Sequence, residues 1–367
     1  MRSSYKRMGD YIRKVDNRNK DVLVTDPVFE IVDHNKVHPE YLMMWMRRSE
    51  FDRYVFFRCD SAIRGGFGWE ELCDVALPVP TIEKQREIVR EYYTIVDRIK
   101  LNEQLNQKLE ETAQAIYKQW FVDFEFPMSK EHAAKIGKPE LEGKPYKSSG
   151  GKMVWNDELD QEIPEGWENG TVESFSELID GDRGKSYPSQ GDFFEEGHCL
   201  FLNTGNVTKS GFDFSSTSFI TAEKNNALRK GKLKRYDSVL TTCGTVGNCA
   251  YFSDEVEYDH LRINSGMIII RSLDVAKYKV FNYQLLKSPM MKNAISSFLS
   301  GSAQPQLPIK DIRRINILKP VDAYIEKSME LIEPLQKNID GNNKNIRKSK
   351  ELLSLLLSKM TKAEAIA

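Results

Sequence analysis

VALPVP (Val75–Pro80) has a counterpart 240 residues further on, INILKP (Ile315–Pro320). Each is a short apolar run closed by a proline and followed by a helix pattern, which reads as a strand leading into a helix. Working outward at the same offset, VFEIV (28–32) falls on the apolar run from Ile268, and YLMMWM (41–46) on FNYQLL (281–286). SAIRGGFG (61–68) falls on GSAQPQLP (301–308). Residues 28–80 thus align with 268–320 without a gap. Identities are few, and the match lies in the order of apolar and turn positions. Self-similarity at a fixed period means two copies of one structural unit.

The segments after the two copies also correspond. Residues 81 to about 121 and 321 to about 360 each read as one long helix. In the second, Ile325, Ile332, Leu335, Ile339, Ile346, Leu353, Leu356 and Met360 recur mostly at spacings of three, four or seven. That is a coiled-coil seam. In the first, Val89, Tyr92, Val96 and Ile99 begin a similar stripe, which Leu105, Leu109, Ile116 and Trp120 continue after a slip. Asn102 and Asn342 stand 240 apart within their stripes, where a polar side chain costs stability and sets register. Pro334 predicts a kink or a late start for the second helix. A helix of about 40 residues is roughly 60 Å long. Two like units around a pseudo-two-fold would set such helices head to tail. The competing reading is two unrelated amphipathic helices packed on separate cores.

Upstream, the copies differ in length. MGDYIRKVDNRNKD (8–21) compares with VESFSELIDGDRGK (172–185), which comes after the Pro/Gly turn EIPEGWENG (162–170). The apolar strand GMIIIR (266–271) comes about 95 residues after Thr171, whereas Val28 comes only 20 after Met8. The first copy therefore lacks roughly 75 residues of body. VTDPVFEIV (24–32), a turn at Thr25–Asp26–Pro27 running straight into a strand, reads as the joint where the domain's start meets its end.

The 367 residues predict two or three domains. With 40% hydrophobic and 29% charged residues and a net charge of −1, the chain has no global basic field, so nucleic-acid binding must come from local patches. Five cysteines (59, 73, 199, 243, 249) without CxxC spacing predict reduced thiols and a cytoplasmic protein. No apolar run approaches the roughly 20 residues of a membrane span, and the basic first 20 residues show no signal-peptide core.

Five stretches in order carry a family likeness: ALPVPTIEKQREIV (76–89), WFVDFEFP (120–127), EIPEGWENGTV (162–172), TTCGTVGN (241–248) and SGSAQPQLPIKDI (300–312). Over essentially its whole length the chain resembles the specificity (S) subunit of type I restriction–modification enzymes. The resemblance implies an α+β chain: mixed α/β target-recognition domains plus two long antiparallel coiled-coil spacer helices, arranged as an internal pseudo-two-fold repeat. Its expected parts are a truncated first recognition domain (1–80), a first spacer helix (81–126), a linker (127–161), an intact second recognition domain (162–320) and a second spacer helix (321–361).

The resemblance also implies double-stranded DNA as ligand, each recognition domain reading one part of a split target. Two DNA methyltransferase (M) subunits are expected to dock on the helices and recognition domains, with restriction (R) subunits joining that complex. The implied reactions are adenine-N6 methylation and ATP-dependent cleavage. This chain would be non-catalytic and without cofactor; S-adenosylmethionine belongs to the methyltransferase partner, and ATP and Mg to the restriction partner. Because the first domain departs from the family's pattern, self-association of two chains, each bringing one intact domain, is a further expectation. The alternative is an assembly or regulatory scaffold that binds methyltransferase subunits without a competent DNA reader.

Catalytic motifs are few. No Asn- or Asp-Pro-Pro-aromatic stretch occurs. GDRGKS (181–186) resembles a phosphate loop, but Ile179 stands where its first glycine is required. GGFGW (65–69) reads as a turn, His34 and His38 lack a third ligand, and PELEGK (139–144) lies in the Lys/Gly/Pro-rich linker. The DNA-facing candidates lie in the second domain. They are Arg183, Lys185 and Tyr187 in DRGKSYP, and Arg229, Lys230, Lys232, Lys234 and Arg235 in LRKGKLKR. Cationic clusters of this kind supply phosphate contacts; a solvated hairpin surface is the plain alternative. Thr241, Thr242, Thr245 and Asn248 at a strand end, Gln304 and Gln306 in GSAQPQLP, and Arg262 offer groups that suit base edges. Trp120, Phe121, Phe124 and Phe126 read either as packing of a helix end or as a docking surface for a methyltransferase subunit.

Overall fold

The computed structural model describes residues 5–10, 12–15, 28–59, 66–299 and 306–360. They belong to two units, Met1–Gln104 with Asn345–Ala367, and Leu105–Lys344.

In the first unit β1 (Tyr5–Arg7) pairs antiparallel with β4 (Ala76–Pro78), and β2 (Ile12–Val15) with β3 (Val28–Ile31). Between β3 and β4 lie α1 (Pro39–Met46), α2 (Ser49–Arg58) and α3 (Trp69–Asp74). Proline at the first position and the His38 ring accepting from the Glu40 amide start α1, since neither wastes an intrahelical donor. The first long helix, α4 (Ile82–Phe121), is anchored by Gln85. This buried amide donates to the carbonyls of Lys36 and Pro80 and accepts from the His38 amide. The core holds Met8, Ile12, Tyr41, Leu42, Trp45 and Leu77, with Val89 and Tyr92 of α4 and Met360 from the end of the chain packed against them.

The second unit opens within α4 and continues past its end. Residues 127–161, expected as a linker, are built instead into hairpins. β5 (Glu125–Pro127) pairs with β6 (Pro145–Lys147) around α5 (Lys130–Lys135), and β7 (Met153–Asn156) pairs with β8 (Gln161–Pro164). The glycines that suggested a linker make these turns: Gly137 and Gly143 have φ of +67° and +73°, which glycine adopts without steric cost.

The body of the unit comes next. After β9 (Glu168–Gly170) and β10 (Ser176–Asp180) come β11 (Cys199–Leu202), the β12 (Val207–Thr208) and β13 (Gly211–Phe212) hairpin, β14 (Phe219–Ile220) and α6 (Ala222–Ala227). β15 (Ser238–Thr241), β16 (Cys249–Tyr251), β17 (Leu261–Ile263) and β18 (Met267–Ser272) complete it. One sheet has the order β10-β18-β15-β16, the other β14-β11-β17. Along β18, Ile268 and Ile270 face one core while Met267 and Ile269 face another. Covered on both sides, the strand reads as a continuous apolar run, and each such buried side chain contributes about 1.5–3 kcal/mol. One face meets α7 (Val275–Lys287) and α8 (Pro289–Leu299), and the other meets the second sheet. α9 (Ile309–Ile312), β19 (Ile317–Lys319) and α10 (Asp322–Lys359) end the chain, β19 pairing with β9.

The offset of 240 holds element by element. β3, α1, α2, α3, β4 and α4 correspond to β18, α7, α8, α9, β19 and α10. The pairings β1 with β4 and β2 with β3 recur as β9 with β19 and β10 with β18. The difference is what joins the paired strands: residues 16–27 in the first unit and residues 181–266 in the second. The joint at Val24–Pro27 lies outside the described residues.

The long helices do not sit on separate cores. In the second unit the end of α4 (Ala113, Tyr117, Trp120) shares a core with the start of α10 (Ile325, Met329, Ile332). In the first unit the start of α4 shares one with Leu357 and Met360, so the helices are antiparallel. One detail corrects the sequence expectation of a late start. α10 starts on time and runs unbroken through Pro334, because Met329, Ile332, Gln336 and Ile339 are buried on either side of it. Across the helix pair Asn342 meets Asn106: its Nδ2 donates to Asn106 Oδ1 at 2.9 Å, and Asn106 Nδ2 donates to Asn343 Oδ1 at 2.8 Å.

Candidate nucleic-acid interface

Strand direction brings five segments of the second unit to one rim. β10, β11, β15 and β17 end there, and β18 begins there: Asp180 lies opposite Ile268, Thr241 opposite Met267, and Leu202 beside Ile263. Residues 181–187, 203–206, 242–248 and 264–266 therefore emerge together. Residue 306 joins them through a bridge to Cys243 and a bond from the Leu307 amide to the Thr242 carbonyl. Only glycine fits at 181, where a Cβ would stand 2.1 Å from the Asn264 carbonyl oxygen.

Asp182 organises the cationic side. Its carboxylate is 4% exposed and accepts from the amides of Gly184 (2.6 Å), Arg229 (2.6 Å) and Lys230 (3.3 Å). These bonds, led by that from Gly184, hold its pKa below the ordinary carboxylate value. The carboxylate thus ties DRGKSYP to LRKGKLKR, with the Arg229 guanidinium 3.7 Å from Oδ1. Arg183 donates to the Ser265 carbonyl at 3.0 Å, and the Tyr187 hydroxyl accepts from the Ser265 amide. Lys185, Arg229 and Lys230 are exposed.

The remaining basic candidates separate. Lys232 lies mid-way, bridged to Arg262, and Lys234 is exposed at the start of β15, away from the rim. Arg235 donates to the carbonyls of Ser253, Val256 and Tyr258 and to Asp259, and stacks on Phe252 at 4.3 Å. This arginine closes the far end of β15 and β16, with four of its five N–H donors engaged there. Arg262 is buried, bound to Asn225 and the Lys230 carbonyl. It supports the 225–230 segment from within, so the expectation of a direct DNA contact is corrected by its burial.

Of the neutral candidates, Thr241 and Asn248 shape their loop. The buried Thr241 hydroxyl donates to the Thr245 carbonyl and accepts from the Asn248 amide, and Asn248 Nδ2 donates to the Val207 carbonyl. Thr242 is buried, its backbone bonded on both sides. Thr245 stands exposed between Gly244 and Gly247, whose φ values are +71° and +91°. Gln306 is exposed at the rim, and Gln304 lies outside the described residues. The rim also holds the turn NTGN (203–206), closed by its two asparagines, which sequence reasoning missed although the spacing is a capping box.

The aromatic candidates are not a surface. Trp120, Phe121, Phe124 and Phe126 are each 5% exposed or less. They pack around Trp167, Phe281 and Tyr324, with Phe126 and Tyr324 centroids 4.5 Å apart. The docking-surface reading is overturned, because the hairpin after α4 folds the cluster into the core. Among the described residues no group of His, Cys, Asp and Glu could hold a metal ion, and no helix is long and apolar enough to cross a membrane.

Residues 164–350, just over half of the chain and the whole rim, match the family model of the type I restriction modification DNA specificity domain. The chain belongs to this family. It is a DNA sequence-specificity subunit of the type I restriction–modification kind, a non-catalytic role. The type I restriction enzyme MjaIX specificity subunit of Methanocaldococcus jannaschii is 27% identical over 353 residues, 94% of this chain and 73% of that one. The type I restriction enzyme HindI specificity subunit of Haemophilus influenzae is 33% identical over 129 residues, 34% of this chain and 28% of that one. The crystal structure of the S subunit from M. genitalium covers 91% of this chain and 75% of its own, at 14% identity and a TM-score of 0.49. That of the HsdS subunit from Thermoanaerobacter tengcongensis covers 92% and 73%, at 14% identity and a TM-score of 0.36.

Proposed function

We propose that the rim of the second unit reads one part of a split double-stranded DNA target, and that each chain carries one such reader. One observation carries this: a protein of net charge −1 gathers exposed Lys185, Arg229 and Lys230 beside Thr245 and Gln306 on one rim. Cations of this kind hold phosphates and set register, while hydroxyl and amide groups meet base edges. The scaffold alternative is disfavoured, because the matched specificity domain is present with its body.

The chain works in a complex. Two methyltransferase subunits carrying S-adenosylmethionine dock on the long helices and the recognition domain, and restriction subunits using ATP and Mg join them. Adenine-N6 methylation and ATP-dependent cleavage are the activities directed. The buried aromatic cluster leaves docking to exposed positions such as Leu352 and Leu355, 56% and 58% exposed on α10. Five free thiols fit a reducing cytoplasm.

The test is the methylome of cells expressing the chain with its methyltransferase partner, read by single-molecule sequencing. A gapped methylated motif is expected. A stable complex that methylates no motif would sink the proposal and leave the assembly scaffold.

A further inference from the structure

We infer that Thr204 is a specificity-determining residue, reading a base edge through its hydroxyl; this rests on the rim being the DNA-reading surface. Thr204 begins the turn Thr204–Asn206 after β11. The turn is rigid. Asn203 Oδ1 accepts from the Gly205 amide at 2.8 Å, and Asn206 Oδ1 accepts from the Asn203 amide at 3.0 Å. Asn206, buried, also donates to the carbonyls of Asp213 and Ser216 at 2.9 and 2.7 Å. Asn206 is thereby spent. Asn203, the more exposed of the two, already has its oxygen engaged with the Gly205 amide.

The side chain of Thr204 packs beside two glycines. Its Cγ2 lies 2.9 Å from where a Cβ on Gly266 would stand, and its Oγ1 lies 3.5 Å from that of Gly244. Two loops place glycine against it, and its methyl is turned to Gly266 rather than outward. The hydroxyl takes part in no hydrogen bond among the described residues, and the residue is half-buried at the centre of the rim. A hydroxyl on a half-buried residue of a rigid turn, with both its donor and its acceptor unused, is a preorganised contact. Being neutral, it adds nothing to phosphate attraction, and with the methyl tucked away it does not read thymine by apolar contact.

The experiment uses the full chain assembled with its methyltransferase partner and a pool of randomised double-stranded DNA. Thr204→Val keeps the shape and removes the hydroxyl; Thr204→Ser keeps the hydroxyl. The valine variant is expected to relax one position of the motif by about tenfold, with affinity for unrelated DNA and the salt slope unchanged. The serine variant is expected to keep the motif. Lys185→Ala combined with Lys230→Ala tests the rim itself, and should weaken binding to all sequences and flatten the salt dependence. An unchanged motif in Thr204→Val with a weakened lysine variant overturns the role of Thr204 and leaves the rim standing. Equal loss on all sequences in Thr204→Val overturns it too, by showing a structural role. A lysine variant that binds as before overturns the rim reading.

Discussion

Asp182 shows how one residue can set a surface made by others. It accepts three backbone donors from two loops, and hydrogen bonds to a charged group are worth about 1.5–3 kcal/mol each. Asp182→Asn turns an acceptor into a donor facing those amides. We expect a stability loss on the order of 2 kcal/mol in a denaturant titration, together with weaker DNA binding, because Arg229 and Lys230 are no longer held beside Lys185. The pH dependence has a defined sign. The folded-state pKa lies below the ordinary carboxylate value, so the stabilisation is fully present above that value and lost as pH falls through the folded pKa. The wild type should lose this increment in acid, and the asparagine variant should not.

At the scale of elements, packing overrode local propensity in identifiable places. Pro334 inside α10 leaves a helix carbonyl without its donor, a cost of about 3 kcal/mol in a helix interior. Burial on either side of it carries that cost, so Pro334→Ala should raise the melting temperature, and a lowered one would mean that the proline shapes the helix. The repeat offers a second test. Phe56 and Phe57 on α2 are each 85% exposed, and their counterparts on α8 are Ser296 and Ser297. Replacing both phenylalanines by serine should move stability by less than about 0.5 kcal/mol each and reduce self-association through exposed apolar surface, as read by light scattering. The 127–161 segment was illegible for a related reason. Its hairpins bury little, so no periodicity marks them, and its turn residues look the same in a linker.

For the whole molecule, the consequence of the repeat is asymmetry. The β2–β3 pair is joined by residues 16–27, while the β10–β18 pair carries the body of residues 181–266. On the proposal that each chain carries one reader, two chains are expected to make up a complete split target. Native mass spectrometry of the assembled complex is expected to show two copies, and the methylome a symmetric gapped motif. One copy with an asymmetric motif would show instead that the first unit still discriminates sequence.

The order of amino acids by itself determined the repeat, the two long helices to within a few residues, the buried strand GMIIIR and the missing body of the first copy. These rest on periodicities of two, 3.6 and 240 residues, which are properties of position along the chain. Only the tertiary structure decided which polar side chains remain for DNA. LRKGKLKR reads as one cluster, yet Arg229 and Lys230 reach the rim while Arg235 closes the opposite end. Arg262 is consumed by Asn225, 37 positions away, and Asp182 by Arg229, 47 positions away. Whether a donor is used or available depends on partners brought close by folding, and spacing along the chain does not record them.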